Sequence, residues 1–264
     1  MTAPVRRTFT ASDGTRLSVL EAVPARTVAH APRLAFVPGW CMPAALWQPQ
    51  LAALGERWHA AALDPRGQGE SEIAAAGYTA DRRADDIAEF LAPCERVVLV
   101  GWSLGALEAL HYVHRHGEAK LAGLVLVDSS VGEDPAPPAN GFCDALRADR
   151  TGAVADFVRA IFRAPQPPET LAQLAAAAQR MPLAASLALL SYSHPREHWR
   201  TIARSARVPL LYAVTPRFAE QSRNLVRHRP GTRVDIFESA GHALFADEPE
   251  RFNALLADFV ASLA

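Results

Sequence analysis

The chain has 264 residues, of which 50% are hydrophobic and 21% are charged, and its formal net charge at pH 7 is -1. That balance predicts a globular protein with a large core and excludes the basic surface that nucleic-acid binding requires, so we expect a small-molecule partner. The 3 cysteines show neither a disulfide framework nor metal-ligand spacing, and no apolar run approaches the roughly 18 residues of a membrane helix, so we expect a cytoplasmic protein without membrane association.

Apolar runs alternate with helical stretches through the first half of the chain. Residues 5–23 form a predicted antiparallel hairpin, because two strand-like runs flank the turn residues Asp13 and Gly14. Further strands are predicted at 34–37, 59–63, 97–100 and 124–127, and helices at 48–54, 81–91 and 104–116. Such alternation is typical of a mainly parallel sheet flanked by helices, which is an α/β fold.

The pattern changes after residue 132. Prolines punctuate helical pieces over residues 133–205, including an alanine-rich piece at 169–179, and no strand is predicted there. Strands resume at 208–214 and 233–237, and a final amphipathic helix covers 249–263. We therefore predict one α/β core made of residues 1–132 and 206–264, with residues 133–205 inserted as a helical cap.

The pentapeptide Gly101-Trp102-Ser103-Leu104-Gly105 lies between a predicted strand and a predicted helix. A serine on such a tight turn presents its hydroxyl at the helix N-terminus. Any Cβ at Gly101 or Gly105 would crowd a turn that packs strand against helix closely. We predict that Ser103 is a nucleophile on this elbow, and the alternative is an ordinary turn, since the pattern also arises by chance.

A serine hydroxyl needs a base to act as a nucleophile near neutral pH. His242 directly follows the last predicted strand, where a loop at the carboxyl end of the strand returns over the elbow. The other histidines belong to a helix, the start of a strand, polar loops or the cap. We therefore predict that His242 is the base.

Two backbone N–H groups are expected to stabilise the oxyanion that forms during attack. Leu104 supplies the first, because it follows the nucleophile at the helix N-terminus. Trp40 supplies the second, because Pro38-Gly39-Trp40 ends the first core strand beside the elbow strand. The side chains of Trp40 and Trp102 equally fit ordinary core aromatics.

These motifs resemble the α/β-hydrolase superfamily over about residues 10–263. The segments that carry the resemblance are Val37-Pro38-Gly39-Trp40, residues 64–71, the elbow pentapeptide, Asp128-Ser129-Ser130 and Gly241-His242. The group most similar is that of pimeloyl-carrier-protein methyl esterases and related carboxylesterases, in which Pro38 is usually replaced by histidine. The resemblance implies a serine hydrolase that cleaves a carboxylic ester or related acyl compound through a Ser-His-Asp triad and an acyl-enzyme, with no metal and no organic cofactor.

The acid of that triad departs from the family pattern. Most relatives carry an aspartate in the turn after the penultimate strand, but residues 212–217 here contain no carboxylate. The two candidates are Asp128, at the end of the strand that follows the elbow helix, and Glu220. Some members of the superfamily, including certain haloalkane dehalogenases, place the acid at the position that matches Asp128. We favour Asp128, although an aspartate there also fits a plain turn residue.

A second resemblance is to the cofactor-independent dioxygenases that cleave 3-hydroxy-4-oxoquinolines. It is carried by Pro38-Gly39-Trp40-Cys41, Asp128 and Thr215-Pro216. In that family a His/Asp pair deprotonates the substrate, and histidines at the positions of Met42 and Leu104 contact it. Both positions are apolar here, and an apolar side chain cannot donate a hydrogen bond. A non-catalytic ligand-binding protein is the third hypothesis, because a fold does not fix a function.

Aromatic residues of the predicted cap are candidates for the substrate pocket. Phe142, Phe157 and Phe162, together with Trp102 from the elbow, are predicted to line it, with Leu146 and Met181 nearby; the alternative is simple core packing. Four arginines of the predicted cap suit an anionic acyl carrier, although we favour a solvated helix face as their explanation: Arg147, Arg150, Arg159 and Arg163.

Overall fold

An eight-stranded sheet runs through the centre of the computed structural model, which describes residues 3–26, 31–138, 141–191 and 194–263. Its strands are β1 (Val5–Thr10), β2 (Arg16–Ala22), β3 (Arg33–Val37), β4 (Ala60–Asp64), β5 (Val97–Trp102), β6 (Leu121–Val127), β7 (Leu210–Val214) and β8 (Thr232–Ile236). They lie in the order β1-β2-β4-β3-β5-β6-β7-β8. The β1-β2 and β2-β4 pairs are antiparallel and the others are parallel, which confirms the predicted mainly parallel α/β sheet with an antiparallel hairpin at its edge.

Helices cover both faces of the sheet. They are α1 (Gln48–Leu54), α2 (Ala80–Phe90), α3 (Leu104–His116), α4 (Phe142–Ala148), α5 (Arg150–Ala160), α6 (Pro168–Arg180), α7 (Leu183–Leu190), α8 (Arg196–Ser205), α9 (Ala219–His228), α10 (Leu244–Asp247) and α11 (Pro249–Ala261). Alternate residues of β5 point to opposite faces: Val98 joins an apolar cluster with α1 and α11, and Leu99 joins one with α2 and α3. A parallel strand that is covered on both faces needs an unbroken apolar run, and this is the pattern that predicted β5.

The described residues between β6 and β7 are helical from α4 to α8, with no strand among them. Proline opens or directly precedes three of these helices: Pro168 is the first residue of α6, and Pro182 and Pro195 stand before α7 and α8. Proline fits there because its fixed φ suits the first helical turn, and its missing N–H would have no helical partner.

The last of these helices packs on the flank of the sheet. Trp199 and Ile202 of α8 join the cluster formed by α2 and α3, as expected for a crossover helix between the parallel strands β6 and β7. Helices α4 to α7 instead join the cluster on the other face. The predicted insertion at residues 133–205 therefore combines helices that lie over the sheet with one helix that belongs to its flanking layer.

Helix α9 has no counterpart among the predicted elements. Its buried face carries Gln221 and Ser222 beside Leu225, so the hydrophobic periodicity that identifies an amphipathic helix is weak. The short α10 was also not predicted. No helix of the described ranges has the length and apolar character needed to cross a membrane.

Candidate active site

Ser103 lies at the turn between β5 and α3. Its backbone has φ 54° and ψ -118°, a conformation that a residue with a side chain adopts only under strain, at a cost of about 1–3 kcal/mol. The amide of Ser103 donates to the carbonyl of Val127 at 2.9 Å, which ties the turn to β6. The strained turn points the hydroxyl away from the strand, into the space above the carboxyl ends of the sheet.

The two elbow glycines are required by close backbone contacts. A Cβ on Gly101 would overlap the carbonyl of Gly105, and a Cβ on Gly105 would overlap the carbonyl oxygens of Val37 and Pro38. These obstacles are backbone atoms, which cannot rotate away as a side chain can. The steric role predicted for both glycines therefore has a counterpart in the geometry of the turn.

Ser103, His242 and Asp128 form one hydrogen-bonded chain. The Ser103 hydroxyl lies 2.9 Å from Nε2 of His242, and Nδ1 of His242 lies 2.7 Å from Oδ2 of Asp128. An ionised carboxylate can only accept, so Nδ1 carries the hydrogen and Nε2 offers its lone pair to the hydroxyl. The structure thus brings together residues that are 139 and 114 positions apart in the chain.

Asp128 is held from two sides. Its side chain is 1% exposed, and Oδ1 accepts hydrogen bonds from the amide and the hydroxyl of Thr215 at 2.7 and 2.8 Å. Its own amide donates to the carbonyl of Ala213 at 2.9 Å, and its φ of 41° turns the carboxylate toward His242. The turn after β7, where relatives usually carry the acid, here supplies two donors to a carboxylate on the neighbouring strand.

Glu220, the other candidate acid, lies elsewhere. It occupies the first turn of α9, its side chain is 46% exposed, and its carboxylate pairs with Arg223 at 2.6 Å. Among the two carboxylates considered, only Asp128 contacts the imidazole of His242.

Trp102 supports His242 from below. Its side chain is fully buried, its indole N–H donates to the carbonyl of His242 at 2.8 Å, and the two rings are 5.2 Å apart. Asp247 holds the same loop from the other side by accepting from the amides of Gly241 and Arg163 at 2.7 and 2.8 Å. Sequence reasoning did not single out Asp247, since no motif surrounds it.

The amides of Leu104 and Trp40 lie beside the elbow, as the predicted oxyanion hole requires. Leu104 is the first residue of α3, and across the described ranges its amide has no hydrogen-bond acceptor, nor has that of Trp40. The loop that carries Trp40 is close to the elbow, because a Cβ on Gly39 would lie 3.1 Å from the Cβ of Ser103. Both amides are therefore free to donate a hydrogen bond beside the elbow, as far as the described residues show.

Gln68 fixes this loop. Its buried amide group donates to the carbonyls of Gly39 and Met42 at 3.0 and 2.8 Å, and its oxygen accepts from Arg83 at 2.9 Å. Arg83 in turn pairs with Glu108 of α3 at 2.7 Å. The backbone before Trp40 is thus positioned by a buried polar network, and this role of Gln68 was not predicted, although residues 64–71 were part of the family resemblance.

A cavity of about 750 Å³ opens above the hydrogen-bonded residues Ser103, His242 and Asp128. Ser103, His242 and Leu104 line its floor, and α4, α5 and α7 contribute to its walls. Of the four aromatic residues predicted to line the pocket, Phe142 and Phe157 do so. Trp102 and Phe162 are not among the lining residues. Leu146 and Met181, which were predicted to lie nearby, are buried in the core.

The side chain of Trp40, which lines this cavity, contacts the helices above it. Its ring meets those of Phe142 and Phe157 edge to face at 5.1 and 5.2 Å, and its indole N–H donates to the carbonyl of Ser186 in α7 at 2.7 Å. The backbone of Trp40 therefore lies beside the elbow, while its side chain packs against helices α4, α5 and α7.

The sequence profile described as the alpha/beta hydrolase family matches residues 34–255. The chain belongs to this family. The match covers the sheet from β3 onward, the elbow and the loop that carries His242, and it confirms the predicted fold and the expectation of a hydrolase.

Individual relatives of this alpha/beta hydrolase are similar over most of their length. The pimeloyl-acyl-carrier-protein methyl ester esterase of Vibrio cholerae is 31% identical over 258 residues, which cover 86% of this chain and 93% of the relative. The AB hydrolase superfamily protein YisY of Bacillus subtilis is 24% identical over 88% of this chain and 92% of its own. A crystal structure of a putative aryl esterase from Burkholderia cenocepacia superposes with a TM-score of 0.85 and 27% identity, over 98% of this chain and 99% of that one. The resemblance to the carrier-protein esterases is confirmed.

The four arginines of the predicted cap do not line the cavity. Arg147 pairs with Asp144 at 2.8 Å on an exposed face, and Arg159 pairs with an aspartate one turn away in the same manner. Arg163 is exposed, and Arg150 donates to the carbonyl of Met181. The cation among the lining residues is instead Arg217, in the turn after β7.

Proposed function

We propose that this protein is a serine hydrolase that cleaves a carboxylic ester or a related acyl compound. The observation that carries the proposal is the hydrogen-bonded chain from the Ser103 hydroxyl through His242 to Asp128, with distances of 2.9 and 2.7 Å. In the reaction Ser103 attacks the ester carbonyl while Nε2 of His242 takes the proton. His242 then protonates the leaving alcohol, and a water molecule activated by the same nitrogen releases the acyl group from Ser103.

Asp128 orients the imidazole of His242 and stabilises its protonated form. Since Thr215 occupies Oδ1 with two donors, Oδ2 is left to accept from Nδ1 of His242, which selects the tautomer with a free lone pair on Nε2. When His242 takes the serine proton, the adjacent carboxylate stabilises the imidazolium. Thr215 is a positioning residue in this scheme.

The amides of Leu104 and Trp40 form the oxyanion hole. Both are at the elbow, and the N-terminus of α3 adds the positive end of a helix dipole. Each donor of this kind is worth about 10²- to 10³-fold in turnover. Gln68 contributes by holding the carbonyls of Gly39 and Met42, so that the Trp40 amide stays in place.

The cavity favours a substrate with an apolar acyl group. Helices α4 to α7 act as the cap, and the walls they supply are mostly apolar, with Phe142 and Phe157 packed on Trp40. The esterases among the relatives support an ester as substrate. Because several relatives are esterases of an acyl carrier protein, an ester on such a carrier is the second substrate class to assay, beside small free esters.

The dioxygenase alternative has less support. The pair formed by His242 and Asp128 could also deprotonate a bound substrate, but neither Met42 nor Leu104 carries a polar side chain to contact it. Met42 is fully buried, and Leu104 lines the cavity with an apolar side chain. In the dioxygenase family, moreover, the serine is not a covalent nucleophile.

Labelling with a fluorophosphonate tests the proposed nucleophile. The protein should be labelled at Ser103, and Ser103→Ala should lose both the label and about 10⁴- to 10⁶-fold in the hydrolysis of p-nitrophenyl and methyl esters of graded length. Ser262→Ala, at the end of α11, is the matched control and should keep both. Comparable ester turnover by purified Ser103→Ala would refute the covalent mechanism. Oxygen consumption with a 3-hydroxy-4-quinolone would then support the dioxygenase, and inertness toward both substrate classes would support a binding protein.

A further inference from the structure

Three histidine rings, from α3 and from the start of α8, meet on the flank of the sheet and are separate from Ser103, His242 and Asp128. His111 belongs to α3, His194 stands just before α8, and His198 lies in the first turns of α8. The rings of His194 and His198 stack at 4.2 Å, and the ring of His111 lies 4.8 Å from that of His194. These three residues are called the histidine cluster below.

The nitrogen atoms of the histidine cluster converge. One ligand atom from each residue lies within 4.8 Å of the others, and Nδ1 of His111 is 3.0 Å from Nε2 of His198. A tetrahedral zinc ion with Zn–N bonds of about 2.0–2.1 Å separates its ligand nitrogens by about 3.3 Å. Two of the nitrogens are close to that spacing, and the ligand atom of His194 lies within 4.8 Å of both.

Asp81 prepares His111 for such a role. Its Oδ1 lies 2.6 Å from Nε2 of His111, so this nitrogen donates and Nδ1 presents its lone pair toward His198. A carboxylate behind the far nitrogen of an imidazole is the outer partner that metal-bound histidines usually have. The hydrogen bond from His111 lowers the pKa of Asp81, which keeps the carboxylate ionised at neutral pH.

We propose that His111, His194 and His198 bind a divalent transition-metal ion, with Zn²⁺ as the preferred ion and a water molecule as its fourth ligand. Three imidazole nitrogens suit zinc and its borderline neighbours, and they are poor ligands for Mg²⁺ or Ca²⁺. Without metal, Nε2–H of His198 donates to Nδ1 of His111. Binding replaces that hydrogen, so His198 takes the tautomer protonated on Nδ1 and both facing nitrogens coordinate the ion.

Two rings of the histidine cluster are buried enough to disfavour the charged imidazolium. Burial, followed by the neighbouring histidines His194, His111 and His114, lowers the pKa of His198 to about 4. Burial also lowers the pKa of His111.

The proposed ion would join the elbow helix to the wall of the cavity. His111 is on α3, which begins at the elbow, while His198 is next to Trp199, which lines the cavity. The Trp199 ring contacts His198, His194 and His111 at 4.8, 5.6 and 5.9 Å. Zinc would thus hold α8 against α3 behind this wall. This site was not expected from the sequence analysis, which considered only cysteine spacings. His194 and His198 are four residues apart, a separation known from metal-binding histidine pairs, but here His194 precedes the helix that carries His198.

Zinc binding to the chelator-treated full chain tests the proposal. Isothermal titration and metal analysis should give one Zn²⁺ per chain. His194→Gln and His198→Gln, which remove a ligand but keep a polar side chain, should each weaken binding at least about 100-fold, and Asp81→Asn about 10- to 100-fold. His116→Ala is the matched control on α3 and should bind as the wild type does, because His116 contacts Asp85 instead. Co²⁺ should give the visible absorption of a low-coordinate site.

Circular dichroism on each variant shows whether the fold is retained. The proposal is overturned by a wild-type protein that binds no zinc, by folded His194→Gln and His198→Gln variants that bind as tightly as the wild type, or by an equal loss in His116→Ala. Should one glutamine variant fail to fold, the other variant and the Co²⁺ spectrum decide. None of these measurements depends on ester hydrolysis, so their outcome is separate from that of the proposed function.

Discussion

Replacing Asp128 by asparagine removes one charge and no volume. The side chain is 1% exposed, and its Oδ1 accepts two hydrogen bonds from Thr215, so the asparagine oxygen is expected to take that position. The NH₂ group then faces Nδ1 of His242, where Oδ2 accepts at 2.7 Å in the wild type. A donor at this place forces Nδ1 to be the acceptor and puts the imidazole hydrogen on Nε2, against the Ser103 hydroxyl.

The expected loss follows from that tautomer. With Nε2 protonated, His242 cannot take the proton of Ser103, and the imidazolium also loses its neighbouring charge. An exchange of this kind costs about 10³- to 10⁴-fold in kcat, which corresponds to about 4 to 5.5 kcal/mol of transition-state stabilisation. The substrate contacts are unchanged, so KM should stay within a few-fold.

The assay is the hydrolysis of a p-nitrophenyl ester under saturating conditions, with circular dichroism and thermal melting on each variant. Glu220→Gln is the matched control, since Glu220 is half exposed and pairs with Arg223. The Glu220→Gln variant should hydrolyse the ester at nearly the wild-type rate. A folded Asp128→Asn that turns over within tenfold of the wild type, beside a crippled Glu220→Gln, would show that the acid has been misassigned.

Two further predictions concern residues that support the site, and a third concerns the histidine cluster. Thr215→Val keeps the backbone donor to Asp128 but loses the hydroxyl donor, and kcat should fall about tenfold, whereas Thr215→Ser should stay near the wild type. Gly105→Ala, whose Cβ would overlap the backbone at the end of β3, should lower the free energy of unfolding by about 3 kcal/mol or more in urea melts. Gly231→Ala, whose Cβ would meet no atom within 4 Å, should change it by less than about 0.5 kcal/mol. Because the pKa of His198 is about 4 in the folded chain and 6.5 ordinarily, the unfolded chain binds more protons between these values. With chelator present, the free energy of unfolding should therefore fall as the pH is lowered from 6.5 to 4, and it should fall less in His198→Gln; an equal fall in both would contradict the assignment.

Local sequence determined the elements that depend on neighbouring residues. The buried run at residues 97–100 specified β5, because a strand that is covered on both faces has no polar position to place. Gly101 and Gly105 specified the tight turn, because only glycine leaves room for the backbone contacts made there. The elbow and its serine could therefore be predicted before any tertiary contact was known.

The partners of Ser103 depend on which strands are neighbours. The sequence identified the loop of His242 and left two carboxylates, since nothing in either local pattern says which one reaches the imidazole. The sheet order places β6 between β5 and β7, so Asp128 ends beside both the elbow and Thr215. The sequence did not indicate that Thr215 donates to Asp128, because this contact exists only across the β6-β7 pair.

Only the tertiary packing determined which side chains line the pocket and which histidines meet in the cluster. Trp102 and Phe142 are both aromatic residues in apolar surroundings, yet one lies buried beneath His242 and the other lines the cavity. His111 and His198 are 87 positions apart and meet only because α8 crosses back onto α3. Hydrophobicity and periodicity specify that a side chain is buried and on which kind of element it lies. Which atoms it then contacts is set by the crossover connections and the strand register, which are properties of the whole chain.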